Sequence, residues 1–124
     1  MKRKRPVDLS LTAIKLPVNA LVSIAHRLSG VVLFVGVGYL LYLLELSLQS
    51  QASFLLISEK LHSPVSHFIV WFLGSALIYH FIAGIKHLMM DMSIGENKKS
   101  GMIASWIALG LSAVLIVSLG GWLW

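Results

Sequence analysis

His80, Gly84, His87 and Asp91 recur at the spacing of a single helical face. At about 100° per residue they fall within about 60° of one another on a helical wheel. A buried imidazole can ligate a metal, and a glycine beside it lets a flat group approach the backbone. The face therefore reads as a cofactor face or as a hydrogen-bonding seam between helices, and spacing alone leaves both open. A haem held there would take only one of the two imidazoles as an axial ligand. His80 and His87 are separated by about 10 Å along a helix axis. Axial nitrogens must reach iron from opposite faces of the ring, each within about 2 Å by ordinary metal–imidazole distances. A second protein chain is the natural source of the other ligand, because His26 belongs to a different cluster and His67 opens the same helix.

That second cluster is Ser23, His26, Arg27 and Gly30, with Ser23, Arg27 and Gly30 on one face. Arginine does not lose its proton in a protein. Arg27 therefore needs an anionic or strongly polar partner: a haem propionate, a quinone carbonyl, an acidic side chain or a lipid phosphate. The alternative is snorkelling to the headgroups. Lys86 is near enough to the same surface to snorkel, Glu45 can reach the opposite interface, and His62 and His67 read as interfacial residues.

The elements that must position these residues are long apolar segments. They lie at residues 20–48, 64–92 and 102–124. Each reaches the roughly 20 apolar residues that a spanning helix needs. The expected fold is an all-α membrane protein with three transmembrane helices, forming part of a heteromeric helix bundle. Residues 1–19 form an N-terminal segment, 49–63 the first loop and 93–101 the second. Ser63 and Pro64 read as an N-cap followed by proline at the first helical position. Asn19 is expected to cap the first helix, and Gly95 and Gly101 to bracket the second loop. Within the first loop, residues 54–61 are apolar enough for a short helix on the membrane surface. Gly36-Val37-Gly38 sits inside an apolar helix, and Leu41 occupies the third glycine position of a dinucleotide fingerprint. Helix packing explains these glycines better. The third segment carries no charged residue, so packing and anchoring are its expected roles.

Lysine and arginine set the orientation. The N-terminal segment carries Lys2, Arg3, Lys4, Arg5 and Lys15; the first loop carries Lys60; the second carries Lys98 and Lys99. The N-terminus and second loop are thus expected in the cytoplasm, and the first loop and C-terminus in the periplasm, with Trp122 and Trp124 as an aromatic anchor. Composition agrees with a membrane protein. Hydrophobic residues make up 57% and charged residues 12%, against roughly a quarter charged in soluble domains. The formal net charge is +5, and cysteine is absent. That excludes disulfides, thiolate metal sites, iron–sulfur ligation and covalent haem attachment. Pro6 and Asp8 follow the basic start where a signal peptide would have its apolar core. No transit peptide is evident either, so Met1 is expected to be the native start of a bacterial protein.

Three stretches carry a family resemblance. They are Arg5-Pro6-Val7-Asp8-Leu9, Ser23-Ile24-Ala25-His26-Arg27-Leu28-Ser29-Gly30, and His80-Phe81-Ile82-Ala83-Gly84-Ile85-Lys86-His87-Leu88-Met89-Met90-Asp91. Together they resemble the cytochrome b membrane-anchor subunit of bacterial succinate dehydrogenase, which is complex II of the respiratory chain. The resemblance covers nearly the whole chain, and the two longer elements together are far more specific than either alone. It implies that His80 is one axial ligand of a b-type haem, with the other coming from a partner anchor subunit. It implies that Ser23 and Arg27 contact ubiquinone, that His26 and Arg27 lie near a haem propionate, that His87 belongs to the propionate region, and that Asp91 closes the cytoplasmic end of its helix. Lys86 stands where relatives can carry Arg, which keeps the charge but loses the planar fork.

The implied partners are a second hydrophobic anchor subunit, an iron–sulfur subunit, a flavoprotein subunit and membrane lipid; no nucleic acid is expected. The implied place is the bacterial inner membrane, in the tricarboxylic acid cycle and aerobic electron transport. The chain would not be an enzyme alone, because succinate oxidation would occur on other subunits. A fumarate reductase anchor and a purely structural three-helix membrane subunit are the alternatives.

Overall fold

The computed structural model describes residues 17–94 and 97–124. Lys2, Arg3, Lys4, Arg5, the Arg5-Pro6 motif, Lys15 and Gly95 lie outside the described residues. Four helices follow in chain order: α1 (Val18–Ser47), α2 (Gln51–Leu61), α3 (Pro64–Asp91) and α4 (Lys98–Leu123). Helices α1, α3 and α4 are each long and apolar enough to cross a membrane. A helix satisfies its own backbone donors and acceptors, which hydrocarbon cannot do for it. Helix α3 is central: it packs most extensively on α4 and next on α1, while short α2 lies against α1. The outward faces carry large exposed apolar side chains such as Phe34, Leu41 and Val117.

Small residues set how closely the long helices approach, as expected for helix packing in lipid. A Cβ on Gly36 would collide with Leu73 Cδ2 of α3, so the α1–α3 contact uses the missing side chain. Gly38 has open space around it and plays no such part. Between α3 and α4, Gly74 makes room for Leu119 and Gly120 for the Trp71 indole. The Trp71 Nε1–H donates to the Ile116 carbonyl at 3.0 Å. Trp124 packs edge-on against Trp71 and His67, with ring centroids 6.4 and 6.0 Å apart, and both Trp122 and Trp124 are exposed. The inward stripe of α4 is Gly101, Ser105, Ala108 and Ser112, all buried.

The helix ends follow from local chemistry, with three departures from expectation. Ser50 and Ser63 cap α2 and α3 by accepting from Ser53 N and Ser66 N. Pro64 occupies the first turn of α3 as the sequence suggests. Asn97 caps α4, accepting from Ser100 N at 2.7 Å, so α4 starts early enough to place Gly101 inside the helix instead of at the loop's edge. Asn19 does not cap α1. Pro17 holds that position, and Asn19 instead accepts the Ser105 hydroxyl proton across to α4. Among the described residues the Asp91 side chain makes no hydrogen bond that closes α3. Ser93 takes a left-handed conformation with φ 62°, and Ser93 N and Ile94 N donate back to Met90 O and Met89 O. This pairing is the Schellman arrangement, with serine where glycine is usual.

Candidate functional site

The site forms where the first half of α1 crosses the second half of α3. Sequence spacing separates His26 from the face of His80 and His87, but the helix crossing unites them. The rings of His26 and His80 stack with centroids 4.1 Å apart and planes 14° from parallel. His26 and His87 lie 5.2 Å apart at 45°. Three imidazoles from two helices therefore form one cluster, about 12 Å along α1 from its start.

Two glycines create the space. A Cβ on Gly30 would meet His80 Cε1 at 3.2 Å, and one on Gly84 would meet His26 Nε2 at 3.4 Å. The flat group that Gly84 admits is thus the His26 ring of the neighbouring helix. Further bonds lock the crossing. The Tyr79 hydroxyl donates to the Val22 carbonyl at 2.7 Å. The Ser29 hydroxyl donates to the His26 carbonyl at 2.7 Å, and His80 Nδ1 lies 3.0 Å from Ser29 Oγ and 3.2 Å from that carbonyl oxygen.

The cluster has unmet hydrogen-bonding capacity. His26 Nε2 and His87 Nε2 are buried with no partner. A buried polar atom left without a bond costs roughly 1–3 kcal/mol. Such atoms call for a further polar group, and with the proton on Nε2 the carboxylates of a haem would serve as acceptors. The ring spacings also restrict how these residues could hold a haem. In a stacked pair the ring lone pairs lie in the ring planes and cannot converge on an atom between the rings. Two imidazoles on opposite sides of iron, with metal–nitrogen distances of about 2 Å, have centroids roughly 6 Å apart. The 4.1 and 5.2 Å spacings are too short for that. His26 could therefore pair with neither His80 nor His87 across one iron.

The other expected site residues are placed apart. Ser23 is half-buried and Arg27 exposed on α1, and among the described residues neither side chain makes a hydrogen bond. Asp91 is exposed at the end of α3. Lys86 is buried as a whole residue, 6% exposed, and lines an apolar cavity of about 450 Å³ between α3 and α4 with Ile82, Met89 and Ile103. Its four methylenes pack there as an apolar stem. Sequence reasoning gives no role to Ser29 or Tyr79. A signal exists for Ser29, which stands three residues after His26, the spacing at which a serine hydroxyl reaches a helical carbonyl.

The family described as the succinate dehydrogenase/fumarate reductase transmembrane subunit matches residues 1–119. The succinate dehydrogenase cytochrome b556 subunit of Coxiella burnetii is 38% identical over the whole of both chains. That of Rickettsia felis is 32% identical over 94% of this chain and 90% of its own. The succinate dehydrogenase cytochrome b560 subunit of Porphyra purpurea is 31% identical over 77% and 78% of the two chains.

Proposed function

This chain belongs to the succinate dehydrogenase cytochrome b subunit family, as a membrane anchor, and from that premise we propose that it co-ligates a b-type haem through His80 and helps form a ubiquinone-reduction site. The observation that carries the proposal is the imidazole cluster with two unpartnered ring nitrogens at the α1–α3 crossing. His80 would supply one nitrogen ligand to the haem iron. His26 and His87 would donate from Nε2 to the propionates, with Arg27 as a nearby cation. The second axial ligand would come from a second hydrophobic anchor subunit. A b-type haem held there supplies one-electron storage.

Ser23 and Arg27 would hydrogen-bond a quinone oxygen as negative charge develops on it during reduction. By the excess of basic residues on that side, the N-terminus would lie in the cytoplasm of a bacterial inner membrane and the C-terminus in the periplasm. That orientation sets Ser23 and Arg27 toward the side where an iron–sulfur subunit and a flavoprotein subunit would dock. Electrons from succinate oxidation on those subunits would arrive at the same level. The relatives are named for succinate dehydrogenase, so a fumarate reductase anchor is not favoured.

The test is the dithionite-reduced absorption spectrum of the purified membrane complex. The wild type should show a b-type band, and His80→Leu should weaken or abolish it. A colourless wild-type complex, or a full and unshifted band in His80→Leu, would refute the assignment. A purely structural anchor would give the colourless result.

A further inference from the structure

Ser29 has no role in the proposal above, yet its surroundings define one. It is buried on α1, against a histidine of α3. A serine hydroxyl has a single proton, and Ser29 donates its proton to the His26 carbonyl at 2.7 Å. His80 Nδ1 lies 3.2 Å from that same carbonyl oxygen. A carbonyl accepts and never donates, so this contact requires the proton on Nδ1. With its own proton committed, Ser29 Oγ at 3.0 Å accepts from the same Nδ1–H. Both neighbours select one tautomer of His80, and that tautomer leaves the ring's lone pair on Nε2.

We propose that Ser29 is the positioning residue of the His80 ligand: it accepts from Nδ1–H, fixes the ring's tautomer and orientation, and makes Nε2 a stronger donor to iron. The inference rests on the reading of His80 as an axial ligand. The bond spans two helices, so it also ties the ligand's orientation to the α1–α3 crossing. The ring has little other freedom, with His26 stacked on it and Gly30 against Cε1. Outer partners of metal-bound histidines typically matter 10–100-fold. The His26 carbonyl remains as a second acceptor when Ser29 is removed, which puts the effect at the low end, about tenfold. A stronger nitrogen donor favours ferric over ferrous iron, so loss of the hydroxyl raises the midpoint potential. With that loss falling on the ferric form, tenfold corresponds for one electron to about 59 mV.

The experiment is a redox titration of the b-type band in the purified complex, with the ferric low-spin electron paramagnetic resonance signal recorded alongside. Ser29→Ala should keep the haem, raise the midpoint by about 59 mV and shift the ferric signal. Ser29→Thr, which retains the acceptor, should restore both. Wild-type potential and signal in Ser29→Ala would overturn the inference and leave the ligand assignment standing. A Ser29→Thr complex that behaves like Ser29→Ala would overturn it too. A wild-type complex without the band would remove the ligand assignment and this inference together. If Ser29→Ala does not assemble, Ser29→Cys carries the test. Its weaker acceptor should give a shift of the same sign, and an unmoved potential would count against the inference.

Discussion

Replacing Gly30 by alanine tests whether the histidine cluster is as tightly held as its geometry implies. The new methyl would sit 3.2 Å from His80 Cε1, inside the optimum carbon separation of about 3.5–4.0 Å. The imidazole would have to retreat by a few tenths of an ångström. The His26 ring is stacked on it at 4.1 Å, and its Nδ1 is tethered at 3.0 and 3.2 Å. Overpacking a site that cannot yield costs roughly 1–3 kcal/mol. Replacing a mid-helix glycine by alanine returns about 0.5–1 kcal/mol. The net is a loss centred on about 1 kcal/mol, a factor of roughly 5 in an equilibrium constant. The assay is retention of the b-type band in purified complex on graded heating. Gly30→Ala should lose the band at lower temperature than wild type, and Gly30→Val should show little band at any temperature. Gly38→Ala is the control, since no atom lies within 4 Å of its new methyl; it should match or exceed wild type. Full haem retention in Gly30→Val would refute the claim that His80 is confined.

Two further outcomes are expected. Arg27→Leu and Ser23→Ala should each lower ubiquinone turnover of the complex while succinate oxidation with a soluble dye acceptor survives; unchanged ubiquinone turnover in both would remove them from the quinone site. A reporter active only in the periplasm should be active when fused after Trp124, and a cytoplasmic reporter silent; the reverse pattern would invert the orientation.

The long helices are legible because a spanning segment writes its length and apolarity directly into the chain, and Ser63-Pro64 marks the start of α3 without ambiguity. The face shared by His80, Gly84 and His87 follows from helical periodicity. The union of His26 with that face does not. It depends on where α1 crosses α3, which is set by close approach at Gly30, Gly36 and Gly84, and no single-helix wheel contains it. Asn19 misleads for a related reason. Its type and position suit a cap, but a hydroxyl on α4, 86 residues away, competes for it. The burial of Lys86 is not legible because sequence gives depth along a helix and not the neighbour beside it; residues of α4 line the same cavity. Ser93 ends α3 in a conformation normally left to glycine, and Gly95 nearby is the more obvious candidate for a helix stop.

The most direct measurement is chemical rescue at the ligand position. His80→Gly complex should lack the low-spin b-type spectrum, and added imidazole should restore it by occupying the vacated space. A His80→Gly complex that shows the full spectrum without imidazole would contradict the account.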